Sequence, residues 1–150
     1  MKSLNLIMSI IAISSLGLFI SCKKYSEGGT LRKAEKNITK TWKLDSYYFN
    51  GVDKTSTLLI TNFKETYAEG GTYTRTYTDS SGDPITQLGS WSLESKNALI
   101  KVSGTGSFEL SVETSSVSAS EYTILKLTKD ELWYEFMNST DMHEFHLIPD

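Results

Sequence analysis

Cysteine is nearly absent from this chain: Cys22 stands alone among 150 residues. A lone thiol cannot close an internal disulfide, so it needs another purpose. Proline is almost as scarce, with two residues, and histidine equally so. Few prolines leave long strands uninterrupted, because each proline would remove a ladder donor. No charge of one sign dominates. The formal charge is −3, with acids and bases interspersed, which excludes the basic stripe of a nucleic-acid binder and the acidic tail of a solvating segment. No serine sits in a nucleophile-elbow pattern, and no glycine-rich phosphate loop opens a helix. The sequence therefore predicts neither an enzyme nor a cofactor. Its length suits one domain and is short for two.

Only one long hydrophobic run is present, and it lies at the amino terminus. Lys2 supplies a positive start, and residues 4–20 are almost wholly apolar. That is near the lower limit for spanning a bilayer, roughly 17 residues. A charged start, an apolar middle and a small residue before a cut are the parts of a secretory signal. The run closes with Leu18-Phe19-Ile20-Ser21-Cys22 and then changes abruptly to Lys23-Lys24. This close resembles the lipobox of bacterial lipoproteins. The resemblance implies that residues 1–21 are removed, that the Cys22 thiol takes diacylglycerol, and that the new amine is acylated too. Each buried CH₂ contributes about 0.8 kcal/mol, so several chains make a stable membrane anchor. Residues 22–30 then form the lipidated cysteine and a polar linker spanning roughly 15 Å as a flexible coil. Surface-exported lipoproteins of some Gram-negative groups carry an acidic cluster after the cysteine. The two lysines here favour the periplasmic face of the outer membrane.

The remaining residues, 31–150, read as one β domain behind a short helix. Leu31, Ala34 and Ile38 recur at helical spacing on one face, predicting a helix over residues 31–38. Thr30 can cap it. Eight Tyr, six Phe and three Trp, with many Thr, lean toward strand thereafter. Turn signals recur at Asn50-Gly51, Glu69 to Gly71, Asp79 to Pro84, Glu94 to Asn97, Ser103 to Gly106, Thr128 to Glu131 and Asn138 to Asp141. No interval of a dozen or more residues has helical periodicity, so the sheet is expected to be antiparallel and hairpin-linked. Trp42 and Leu44 share a face, as do Gly89, Trp91 and Leu93, then Leu132, Tyr134 and Phe136, then Phe145 and Leu147. One apolar and one polar face is the pattern of a sheet closed on its own core. Residues 112–120 lack a pattern and are expected to be a loop.

Several landmarks occur in a telling order: Ile38-Thr39-Lys40-Thr41-Trp42-Lys43-Leu44, Gly71-Thr72-Tyr73, Gly89-Ser90-Trp91-Ser92-Leu93, the run from Tyr122 to Leu132, and a last strand ending at Ile148. Together they resemble a lipocalin-like domain found in small lipoproteins of Gram-negative bacteria. The resemblance implies an up-and-down β-barrel of about eight strands and carries over no catalytic residues.

Two constellations could carry chemistry. His143 and His146 suggest a metal, but three residues apart on a strand they point to opposite faces. No metal is expected, and two solvated edge histidines are the plainer reading. Tyr73, Arg75 and Tyr77 share one strand face. With Tyr134 they form the expected ligand-binding set: a barrel interior where an arginine among rings could hold an anionic ligand. The plainer alternative lets Arg75 snorkel at an open edge. Trp42 and Trp91 are expected in the core. Trp133 and Met137 lie on the outer face of a strand already apolar inside, so the helix of residues 31–38 is expected to cover them. A partner surface is the alternative. Two functions follow. One is a tethered module binding a small, partly apolar molecule. The other is an accessory lipoprotein with a filled barrel that meets a protein partner. An eight-stranded barrel can do either.

The anchor is directly testable. Cys22→Ala should abolish incorporation of labelled fatty acid and release the protein from the membrane fraction. Unchanged labelling and pelleting would refute the lipobox reading.

Overall fold

The computed structural model describes residues 31–110 and 116–150. The signal, Cys22, the linker and the Thr30 cap lie outside the described residues. Helix α1 (Leu31–Ile38) is followed by β1 (Thr41–Phe49), β2 (Val52–Asp53), β3 (Thr61–Tyr67), β4 (Thr72–Thr78), β5 (Pro84–Glu94), β6 (Leu99–Ser103), β7 (Glu121–Leu127), β8 (Leu132–Asn138) and β9 (Asp141–Pro149). Apart from the two-residue β2, each strand pairs antiparallel with the next, and β9 returns to pair with β1. The result is a closed eight-stranded meander, with β2 as a small ear on β1. The predicted barrel and helix are both present.

The phase of each strand sets the interior. In β4, Tyr73, Arg75 and Tyr77 are buried while the intervening threonines are not. In β1 the phase changes partway: Leu44 pairs with Leu147 but Ser46 with His146, leaving Asp45 as a bulge. An extra residue flips every later side chain, so Tyr47 points inward and is fully buried. The β1–β2 turn is Asn50-Gly51, with both φ angles positive (49° and 78°). That is the turn whose twist suits a two-residue hairpin.

The barrel has two ends. One carries α1, the turns after β3, β5 and β7, and the carboxy terminus. The other carries the β1–β2, β4–β5 and β8–β9 turns and the long β6–β7 connection. An isolated helix as short as α1 is marginal in water, so its environment must hold it. Ala34 and Ile38 are buried in the core. The last carbonyls, which have no partner within a helix, are satisfied from outside. Glu35 O accepts from the Thr39 hydroxyl at 2.7 Å and Ile38 O from the Trp42 indole at 2.8 Å.

Two packing expectations change. The helix does not cover the outside of β8; it packs at the barrel end against β7 and the turn after β5. Trp133 is instead covered by its own sheet neighbours. The His146 ring stacks on it at 4.0 Å and 6°, and the Lys126 ammonium lies 4.3 Å from the ring centroid. Cross-strand pairs from β7 and β9 thus do the work assigned to the helix, while Met137 stays exposed. Trp42 is a core residue, but Trp91 is only half-buried. The inward phase of β5 is not fully covered at either end, which bears directly on the site.

Candidate functional site

β3 and β4 bring a buried ion pair into the middle of the barrel. Glu65 is inward in β3 beside Phe63 and Tyr67; in β4, Arg75 is its cross-strand partner. Their side chains are 0% and 2% exposed, and Arg75 Nη2 lies 3.2 Å from Glu65 Oε1. Arg75 Nε donates to the same oxygen at 3.2 Å. The Tyr73 hydroxyl donates to Oε1 at 2.5 Å and that of Tyr67 to Oε2 at 2.8 Å. Arg75 also donates to the Tyr122 hydroxyl at 2.7 Å and to Gln87 Oε1 at 3.3 Å. Burial, then the neighbouring Glu65 carboxylate, push the phenols of Tyr67, Tyr73 and Tyr134 well above their ordinary range. They therefore stay protonated, as Tyr67 and Tyr73 must to donate to a carboxylate.

The structure places the four expected ligand residues as follows. Tyr73 and Arg75 belong to this network. Tyr134 stacks on Tyr122 at 4.8 Å and so borders it. Tyr77 lies nearer the helix-free end, against Phe108 at 5.8 Å. All four are buried. Arg75 is inside the barrel among rings rather than snorkelling at an edge, and the anion beside it is the chain's own Glu65. Glu65 is absent from the expected set, although the alternation Phe63-x-Glu65-x-Tyr67 marks it as an inward carboxylate.

The connection after β6 fills the space above the pair. Its described residues are mostly exposed and polar, but three apolar side chains turn inward and are buried: Phe108, Leu110 and Val117. Phe108 and Val117 form a β-bridge, and Leu59 N donates to Leu110 O at 2.8 Å. The chain enters across the inner face of β5. A Cβ on Gly89 would overlap the Ser103 carbonyl oxygen, so only glycine allows this crossing. Gln87 Nε2 then donates to Ser107 O at 3.2 Å. Phe108 comes to rest with its ring centroid 4.2 Å from the Arg75 guanidinium carbon.

His143 is inward and fully buried, not solvated at an edge, because β9 pairs on both sides. Its Nδ1 meets the Tyr47 hydroxyl at 2.9 Å, Phe136 stacks on it at 5.0 Å, and Nε2 has no partner. His146 faces outward, with Nε2 2.6 Å from Glu144. Among the described residues, no three His, Cys, Asp or Glu side chains cluster as metal ligands.

Open hollows also lie among the described residues. One of about 400 Å³ lies outside β1 and β3, near Asp150. A second of about 370 Å³ lies at the helix-free mouth, between Tyr77, Phe108 and the Asp79 turn. A third, of about 800 Å³, is a groove at the other end. Glu35, Lys36 and Thr39 of α1 form one wall, and the Glu69–Gly71 turn another. Trp91 and Leu93, both half-buried, provide its apolar surface. The Trp91 indole donates to Ala68 O at 2.9 Å, so its polar atom is satisfied. Its ring meets Tyr67 edge-on at 5.6 Å and 90°. One aromatic ring thus separates the groove from Glu65.

Among solved structures, the chain is similar to a lipocalin-like protein from Bacteroides uniformis. The TM-score is 0.51 at 13% identity, covering 76% of this chain and 99% of that one. It is also similar to an uncharacterized protein from Bacteroides eggerthii, with a TM-score of 0.50 at 12% identity, covering 75% and 99%. No family model and no curated protein matches the chain. At such identities the likeness establishes the fold: a lipocalin-like barrel.

Removing one partner of a buried pair strands the other. Arg75→Met should destabilise the domain by about 3–5 kcal/mol, whereas Glu65→Leu with Arg75→Met should recover most of that loss. Urea melts of the single and double variants test this; equal losses would deny the coupling. The second prediction concerns pH. Burial holds the His143 pKa below its ordinary 6.5, opposed weakly by Asp141. The unfolded chain therefore takes up a proton first as pH falls. The stability from neutral His143 is fully present above about pH 6.5 and is lost as pH drops toward the folded value. His143→Phe should flatten the fall in urea midpoint between pH 7.5 and 5. An unchanged slope would place the acid sensitivity elsewhere.

Proposed function

We propose that this chain is a membrane-tethered, lipocalin-like binding module for a small, partly apolar molecule. Its anchor is a lipidated Cys22 at the periplasmic face of the outer membrane. The single observation that carries the binding reading is the groove of about 800 Å³ with Trp91 and Leu93 on its wall. Ligand sites are concave and mostly apolar with a few polar groups, typically of about 300–1,000 Å³. The groove falls within that size range and sets an apolar wall, Trp91 and Leu93, among polar groups. In the barrel centre, by contrast, Phe108 and the Glu65–Arg75 pair already occupy one another.

The position of the groove fits the anchor. Helix α1 begins nine residues after Cys22, a coil of roughly 15–18 Å. The α1 end, where the groove opens, is therefore the end held toward the bilayer. Of the expected set Tyr73, Arg75, Tyr77 and Tyr134, the first two enter this reading as the supporting layer, while Tyr77 lies at the opposite end. Tyr73 and Arg75 hold Glu65, Glu65 holds Tyr67, and Tyr67 backs the ring of Trp91.

An uncharged solvatochromic dye such as Nile red tests the reading. It should bind saturably to the protein, and Trp91→Ala should weaken binding about tenfold or more, while Trp133→Ala leaves it unchanged. Equal affinity in the two variants would remove the groove from the function.

A further inference from the structure

The groove has a polarity of its own. We infer that it selects a non-acidic amphiphile: a short apolar body with a head group rich in hydrogen-bond donors, hydroxyl or ammonium, rather than a carboxylate or phosphate. The inference rests on the binding function proposed above and adds the chemistry of the ligand.

The charges on its rim carry the argument. Glu35 on α1 and Glu69 on the facing turn line the groove, against one cation, Lys36. All three are exposed, so their charges stand at the rim beside the space a head group would fill. Among the described residues, neither carboxylate is engaged by a salt bridge or a side-chain hydrogen bond. The formal charge of the rim is therefore −1, and its unoccupied groups are mainly acceptors. Ionised carboxylates can only accept hydrogen bonds, and a ligand that supplies donors makes charge-assisted bonds with them. An anionic head would meet like charge on two walls. The apolar part has a different destination. The indole N–H of Trp91 is already used on Ala68 O, so the ring and Leu93 offer contact area and no donor. The groove therefore has an apolar wall and an acidic rim, which sorts an amphiphile end from end. The buried arginine does not alter this balance, because Glu65 neutralises it within the barrel.

Three probes with the same eight-carbon chain separate the possibilities: monooctanoylglycerol, octylammonium and octanoate. The full chain, in lipid nanodiscs, is labelled with 5-fluorotryptophan. Its three tryptophans give three fluorine resonances, assigned by Trp→Phe variants. Trp133, on the outer face of β8, reports non-specific partitioning. The glycerol and ammonium probes should shift the Trp91 resonance saturably and leave Trp133 in place. Octanoate should need about tenfold or more higher concentration. Glu35→Gln with Glu69→Gln should narrow that gap to within about twofold. Equal affinity for octanoate, or a gap unchanged in the double variant, overturns the selection by charge while leaving a groove that binds. A Trp91 resonance that responds to no probe overturns both this inference and the binding function.

Discussion

Taking a guanidinium and a carboxylate out of water costs several kcal/mol per ion, even after relaxation. The centre of this barrel must offset that cost at Glu65 and Arg75 before its other side chains can settle. Direct contact at 3.2 Å is only part of the answer. Tyr67 and Tyr73 donate to the carboxylate, and Tyr122 and Gln87 accept from the guanidinium. Four strands are thus committed to one pair. A polar network of this kind stabilises only when nearly every member is satisfied. It therefore fixes which residues of β3, β4, β5 and β7 face inward.

The loop after β6 follows from the same constraint. A charged group left beside open, wet space would keep its hydration and leave the sheet around it loosely closed. Phe108 covers the guanidinium instead, and Gly89 permits the backbone to reach that position. Sealing one side of the pair in this way makes the helix-free half of the barrel a packed core. On the other side the network ends at Tyr67, and Trp91 meets that ring from the groove. The uneven covering of β5, with none of its residues fully buried, is the outward sign that two different elements close over its inner face at opposite ends.

Much of this fold is legible in the sequence because the strands obey simple rules. The threonine alternation of β4 and the Asn50-Gly51 turn state their structure outright, and Leu31, Ala34 and Ile38 mark the helix. What the pattern does not state has definite physical causes. The bulge at Asp45 inverts the phase of β1, so Tyr47 reads as outward by counting and is buried in fact. His143 looks like an edge residue only while the barrel is unclosed; pairing with β1 and β8 sets Tyr47, Phe49 and Phe136 around it. Arg75 reads as a free cation because its partner lies ten residues earlier on another strand. Trp91 has the alternation of a core residue, and only the placement of α1 over β7 leaves its ring half-open.

A barrel of this size can hold either side chains or a ligand at its centre, but not both. Once Glu65, Arg75, Phe108 and the surrounding phenols take that space, any capacity to bind is moved to where secondary elements fail to meet. For the binding proposed above, that place is the seam between a short helix and the β3–β4 turn, and the reason is geometric. Helix α1 is eight residues long, about 12 Å at 1.5 Å per residue, and it is spent on β7 and the turn after β5. It cannot also reach across to Gly70 and Gly71. A fold shared with lipocalin-like proteins thus fixes the walls, while function resides in what a particular chain leaves uncovered. In this chain the uncovered part is an indole ring backed by a buried charge pair, under a rim of two carboxylates.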